Sequence, residues 1–344
     1  MKIKKNYIHT SAVVIIILVA MAFYLKYPAT NSKKVEEKSG KNDKVLWMVD
    51  KNGYLYYPLD RGQIKFGAIN YSDAGNLAIK KIVYESSRGN IYGLLALPKN
   101  ITEQLPGIIL LPGAGVSKES ELRLAEKIAG LGAVVLTIDQ RGVGETDGNF
   151  PSLEEDYANF LKAKEPLQHL MVYDALRAFD LLHSAPFVDS SNIIIAGESL
   201  GGRIAVIAAA IDRNIKGALV ISTAGLGFKG GPDKMKNTFI DSIDSDRYIE
   251  LIAPRKLVMI HNINDKNIHI QSALNSYSLA QQPKRFIYVN DTNCNHGYCD
   301  SMYDGLVGAL DYLVEMRYID DSQNHAEGDK LDKESITHKA LNDK

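Results

Sequence analysis

The apolar positions of this chain fall into three regimes. Residues 6–25 carry no charge, and 12–25 are unbroken apolar sequence. From 45 to 319, short apolar runs alternate with stretches of helical spacing. Residues 30–44 and 320–344 are polar, with no apolar period at all.

In the middle regime, 82–85 and 91–97 read as two strands around an Arg88-Gly89-Asn90 turn. The run 108–111 ends at Pro112-Gly113 and fits a strand buried on both faces. A helical spacing over 119–131 precedes another buried strand at 133–138. Residues 167–182 form the clearest helix, with Leu170, Tyr173, Ala175, Leu176, Phe179 and Leu182 on one side. The runs 193–196, 218–221, 257–260 and 286–289 add short buried strands, and 303–318 closes as a helix. Such alternation predicts an α/β fold, with a mostly parallel sheet covered by helices on both faces in one domain over 45–319.

The flanks change the picture of location. About 20 apolar residues suffice to cross a bilayer as a helix, so 1–29 reads as an N-terminal transmembrane anchor. Residues 30–44 then form a polar tether, and 320–344 a disordered polar tail. A cleaved signal segment is the competing reading, with Ala20-Met21-Ala22 as its small-x-small site. The apolar run continues past that site, which favours the anchor. No cysteine follows the run, so no lipid anchor is indicated. Lys2, Lys4 and Lys5 precede it, while Lys26, Lys33, Lys34, Lys38, Lys41 and Lys44 follow it. Lysine counts therefore do not orient the chain, but long domains cross largely regardless of charge. The expectation is a single-pass membrane protein with its globular domain extracytoplasmic, or a secreted protein if the segment is cleaved.

Composition narrows the function classes. Apolar residues make up 45%, enough for a real core, and 40 Lys plus Arg face 41 Asp plus Glu. A formal charge of −1 leaves no electrostatic footprint for nucleic acid.

The sharpest chemical signal is Ile193-Ile194-Ile195-Ala196-Gly197-Glu198-Ser199-Leu200-Gly201-Gly202. A buried strand runs straight into Gly-x-Ser-x-Gly and then into an Ala- and Ile-rich helix, the context of a nucleophile elbow. Its tight turn would expose the Ser199 hydroxyl at the strand end, with glycines where a Cβ would clash. An ordinary strand–helix turn with a capping serine is the bland alternative.

Here the chain resembles the α/β hydrolases over 82–318. Leu110-Leu111-Pro112-Gly113-Ala114-Gly115 resembles the family's turn after the third strand. Asp139-Gln140-Arg141-Gly142-Val143-Gly144-Glu145-Thr146 resembles its Asp-x-Arg-Gly loop. In detail it is most similar to dienelactone-hydrolase-like and prolyl-oligopeptidase-type catalytic domains.

The resemblance implies an α/β-hydrolase fold and a triad in the order serine, acid, histidine. Asp265, after the strand at 257–260, takes the acid position; a solvated turn aspartate is its plainer reading. His296-Gly297, after the last strand, takes the base position. His261 and His269 compete only as neighbours of Asp265, and His169 and His183 read as packing or surface histidines. The oxyanion donors implied are the backbone N–H groups of Ala114 and Leu200, with Gly115 as an alternative to Ala114 because Pro112 replaces the usual histidine. Asp139 and Arg141 read as scaffold, and Glu198 as the partner of Arg141 or Arg203.

Cys294 and Cys299, the only two cysteines, bracket His296. A short disulfide, two free thiols, or a metal site with His296 compete; the last lacks a fourth ligand and fits no common zinc spacing. The expected reaction is acyl transfer to water by a serine hydrolase, on a small-molecule ester first and a peptide or amide second. A non-catalytic binding protein on the same fold is the third reading. No metal or organic cofactor is implied, and oligomeric state is not legible. Selectivity is expected from 146–165 and 223–252, the longest stretches between core elements, around a fairly open pocket.

Overall fold

The short apolar runs assemble into one twisted sheet, seen in a computed structural model that describes residues 47–314 and 316. Two short strands, β1 (Met48–Val49) and β2 (Leu55–Tyr56), pair with each other at the start. The other nine are β3 (Phe66–Ala74), β4 (Leu77–Ser86), β5 (Gly89–Pro98), β6 (Leu105–Leu111), β7 (Val134–Ile138), β8 (Val188–Glu198), β9 (Gly217–Ile221), β10 (Lys256–Asn262) and β11 (Lys284–Val289). They lie side by side in the order β11-β10-β9-β8-β6-β7-β5-β4-β3. Pairings from β11 through β7 are parallel. Those joining β7, β5, β4 and β3 are antiparallel.

The helices are α1 (Lys118–Gly130), α2 (Leu153–Leu161), α3 (Leu167–Ser184), α4 (Leu200–Ile211), α5 (Lys234–Ile243), α6 (Ile270–Leu279) and α7 (Tyr303–Val314). Strand residues alternate between two apolar layers, as a period of two requires. Ile109, Ile193, Ile195 and Met259 join α3, α4 and α6 on one face. Ile108, Ile194, Ala196 and Ile260 join α1 and α7 on the other. Both faces are thus covered, which is why the central strands read as continuous apolar runs.

The expected strands and helices all occur, most of them longer than their apolar runs. Six of these strands and helices are additional, β1 and β2 among them. The strand β3 has a largely exposed, polar pattern at the sheet edge. Helix α6 follows β10. Helices α2 and α5 rise from the two long stretches expected to confer selectivity, and they pack on each other. Phe160 and Phe239 stand 5.5 Å apart between ring centroids, Tyr157 and Phe239 5.6 Å. The Tyr157 hydroxyl donates to Asp233 at 2.9 Å. The two segments therefore form one small two-helix unit.

The expected anchor (1–29), tether (30–44) and tail (320–344) lie outside the described residues. Among the described residues no helix is long and apolar enough to cross a membrane.

Candidate active site

Strand β8 ends at Glu198 and α4 begins at Leu200, so the whole change of direction falls on Ser199. Its backbone sits at φ 51°, ψ −114°, a region that non-glycine residues adopt only where surrounding structure forces it. The forces are visible on both sides. A Cβ on Gly197 would lie 2.4 Å from the Gly201 carbonyl carbon, and one on Gly201 would lie 2.1 Å from the Leu111 oxygen. Strand β8, helix α4 and the end of β6 approach closely enough to exclude any side chain at either glycine. Ser199 N–H donates to the Ile221 carbonyl at 3.0 Å, and its own carbonyl accepts from Thr223 Oγ1 at 2.6 Å.

The turn after β6 runs alongside: a Cβ placed on Gly113 would lie 3.7 Å from Ser199 Cβ. Pro112 carbonyl is held by Gln140 Nε2 at 2.6 Å, and Val116 N–H closes the turn onto the Gly113 carbonyl at 3.2 Å. Ala114, within that turn, is exposed, and Leu200 opens α4 with a first-turn N–H that helix geometry leaves unpaired.

Two further parallel strands deliver the other residues. After β10, Asp265 is buried and accepts backbone N–H groups from Asn267 and Ile268, both at 2.9 Å. His296 Nδ1 stands 3.0 and 2.9 Å from its two carboxylate oxygens. Burial pushes the Asp265 pKa up, but the bonds from Ile268, His296 and Asn267 outweigh it and hold the carboxyl below the usual range. It is an anion, so Nδ1 of His296, the ring nitrogen that faces it, donates that bond. Among the described residues neither Nε2 of His296 nor the Ser199 hydroxyl has a hydrogen-bond partner.

The loop bearing His296 is tied to the elbow. Tyr298 N–H donates to Glu198 Oε1 at 2.9 Å, and Ser222 Oγ donates to the Gly297 carbonyl at 3.3 Å. Ser222 itself has φ 48° and continues from β9 beside the elbow, with its N–H on the Ile260 carbonyl at 3.0 Å. Cys294 and Cys299 Sγ lie 2.15 Å apart, closing the loop with a disulfide and leaving neither sulfur for a metal. Among the described residues no cluster of His, Cys, Asp or Glu suits a metal ion.

The scaffold charges find their partners locally. Asp139, fully buried, accepts Lys118 Nζ at 2.7 Å, Lys118 N–H at 2.9 Å and Glu145 N–H at 2.8 Å. Arg141 pairs with buried Asp174 on α3 through two bonds of 2.7 and 2.8 Å. The expected pairing of Glu198 with Arg141 or Arg203 does not occur. Arg141 is taken by Asp174, and the Arg203 guanidinium, whose pKa burial lowers, sits nearest the charge of Asp244. His261, expected to be structural, donates from Nε2 to the Ile268 carbonyl (2.9 Å) and lies 3.9 Å from Asp265. His269 caps α6, where its Nδ1 accepts from Gln271 N–H at 3.2 Å. His169 is fully buried beneath α5, while His183 packs against Phe179 at 5.5 Å.

Sequence reasoning missed Ser222, Tyr298 and Glu121. Only Ser222 carried a signal, as the first residue after β9 and next to the elbow in the sheet.

The family model for acetyl xylan esterase (AXE1) matches residues 69–223, from within β3 to just past β9. Among curated proteins, the uncharacterized protein YfhR of Escherichia coli K12 is 27% identical over 176 residues, covering 47% of this chain and 62% of that one. The acetyl esterase Axe7A of Xylanibacter ruminicola is 30% identical over 138 residues, covering 37% of this chain and 31% of that one. The chain thus spans about three fifths of the first relative's length and a third of the second's. Among solved structures, an acetyl xylan esterase from Paenibacillus sp. R4 superposes with a TM-score of 0.62 at 20% identity, over 74% of this chain and 91% of that one. Acetyl xylan esterase 1 from Thermoanaerobacterium sp. JW/SL YS485 gives 0.60 at 15% identity, over 74% and 90%. At such identities the two structures speak for the fold. The sheet order and the strand–serine–helix elbow at its centre give this chain the α/β-hydrolase fold, and the acetyl xylan esterase model matches the segment that carries that centre.

Proposed function

We propose that the protein is a serine esterase that cleaves carboxylic esters of small acyl groups, acetyl foremost, through an acyl-enzyme. The observation that carries this reading is the elbow: Ser199 is held at φ 51°, ψ −114°, beside a loop that presents a histidine already bonded to a buried carboxylate.

In this mechanism Ser199 Oγ attacks the ester carbonyl and its proton passes to His296 Nε2. Asp265 keeps the imidazole in the productive tautomer and stabilises the imidazolium. The N–H groups of Leu200 and Ala114 receive the oxyanion; a single such donor is worth on the order of 10² to 10³ in rate. His296 then protonates the leaving alcohol, and water, activated by the same imidazole, releases the acid. Transfer to His296 requires the serine and histidine to come within hydrogen-bond reach, a contact that commonly tightens only with substrate bound.

The preference for esters rests on the match to the acetyl xylan esterase model over 69–223 and on the likeness to an acetyl esterase. The two-helix unit of α2 and α5, with Phe150, Leu226, Phe228 and Met235 exposed around it, is the region from which acyl- and alcohol-side selectivity would come. The test is a panel of p-nitrophenyl acetate, butyrate and octanoate, acetylated xylo-oligosaccharides and aminoacyl p-nitroanilides. Acetyl esters should turn over fastest and the anilides not at all. Faster anilide than ester cleavage would make the protein a peptidase, and no turnover of any member would leave a binding protein.

A further inference from the structure

The residue before the nucleophile has a role of its own. Strand alternation turns Glu198 away from the α3–α4 layer and toward the layer of α1 and α7, as Ile194 and Ala196 are turned. The disulfide loop packs against that same layer, with Cys294 buried in it and Tyr298 and Cys299 against it. Glu198 Oε1 accepts Tyr298 N–H at 2.9 Å. Its Oε2 fills the space where a side chain at Gly297 would be, 2.8 Å from a Cβ built there, and Gly297 has φ +76°. One carboxylate therefore bonds Tyr298 and occupies the side-chain space of Gly297.

Glu121 of α1 stands close enough to feel its charge. It is 4% exposed, and its Oε1 has no hydrogen-bond partner among the described residues. Burial first, and the charge of Glu198 second, push the Glu121 pKa far up. Burial also raises that of Glu198, but the Tyr298 N–H and the positive form of His296 oppose the rise. Each buried carboxyl disfavours the charge of the other, so the negative charge settles on the member with the better donors. That member is Glu198, and Glu121 is the neutral acid beside it.

Building on the esterase reading, we propose that Glu198 is a positioning residue: its carboxylate holds the Tyr298 N–H and fills the side-chain space of Gly297, and so sets where His296 stands relative to Ser199. Ser222 holds the Gly297 carbonyl from the neighbouring strand, so the segment after the base is fixed from β8 and β9 at once. A loose grip therefore moves the proton acceptor.

The test compares Glu198→Ala with Glu198→Gln in the full-length protein. The amide oxygen of glutamine can accept the same Tyr298 N–H, and alanine cannot. Alanine should lower kcat roughly tenfold or more with KM within about threefold, since small displacements of a catalytic group are costly in rate. Glutamine should restore most of that loss. A kcat for Glu198→Ala within tenfold of wild type overturns the proposal, as does equal impairment of both variants. If Glu198→Ala does not fold, Glu198→Leu replaces it, because leucine keeps the bulk and cannot accept the Tyr298 N–H. A loss of roughly tenfold in kcat at steady KM supports the grip, and a smaller loss overturns it. Fluorophosphonate labelling of wild type separates the two levels: without labelling or turnover there, the esterase reading itself has failed.

Discussion

Opening the Cys294–Cys299 bridge separates stability from catalysis. The bridge encloses only Asn295, His296, Gly297 and Tyr298. Closing a loop of about six residues removes about 2 kcal/mol of unfolded-state entropy. At roughly 2.1 cal/mol/K per residue over about 270 residues, the unfolding entropy is about 0.6 kcal/mol/K, and the loss lowers Tm by only about 4 °C. The ends of the loop stay tied without the bridge. Asn262 Nδ2 donates to the Cys294 carbonyl at 2.6 Å, Lys266 N–H to that of Asn295 at 3.1 Å, and Met302 N–H to that of Cys299 at 2.8 Å. The middle of the loop carries the base and contains Gly297 in a left-handed conformation, so it gains freedom that the ends do not. The double variant Cys294→Ala plus Cys299→Ala should therefore stay folded, lose about 4 °C in Tm and lose roughly tenfold in kcat on p-nitrophenyl acetate. Calorimetry and initial rates at saturating substrate measure the two together. A kcat within twofold of wild type beside the expected Tm shift would refute the claim that the bridge positions His296.

Three further outcomes are expected. His169 is fully buried with its Nε2 2.7 Å from Ser242 Oγ, which already gives its proton to the Phe239 carbonyl at 2.6 Å, so Nε2 carries the hydrogen and Nδ1 is bare. Burial pushes its pKa down to about 3; the unfolded chain takes up this proton first, so the stability is whole above about pH 6.5 and lost as pH falls toward 3, by about 2 kcal/mol at pH 5. Urea unfolding at both pH values, with His169→Gln as a control that lacks this part of the slope, checks it. Replacing Asp174 by alanine strands the buried Arg141 guanidinium and should cost about 3 to 5 kcal/mol, read by chemical denaturation. For residues 1–29, an uncleaved anchor should keep the protein in the membrane pellet through a carbonate wash, with the domain open to protease added outside; a mature N-terminus near Phe23 would mean secretion.

What was legible in the sequence was what is local. Ile193 to Ala205 carry strand, elbow and helix within a few residues, so Ser199 declared itself. Asp265 and His296 were legible because each follows a buried apolar run of its own, in a fixed chain order. The partner of Glu198 was not legible. Charge types suggested an arginine, but Arg141 finds Asp174 on α3, 33 positions on, while Glu198 meets a backbone N–H 100 positions away. Glu121 gave no sign at all, being one acidic residue in the first turn of an amphipathic helix. Helix α2 was readable in principle, since Ser152 and Glu155 form a capping box. Its few apolar residues, Leu153, Tyr157 and Phe160, find their partners on α5, far along the chain, which hid it. The edge strand β3 was lost because exposure removes the alternation that marks a strand.

The central claim is that Ser199 is the nucleophile. Active-site labelling by a fluorophosphonate, with peptide mapping of the adduct and parallel assay of Ser199→Ala, tests it directly. The account predicts one adduct, on Ser199, and loss of both labelling and p-nitrophenyl acetate turnover in the variant, by on the order of 10⁴ or more in kcat, while its Tm stays near that of wild type. An adduct on another residue, or a Ser199→Ala protein that labels and turns over like wild type, would contradict it.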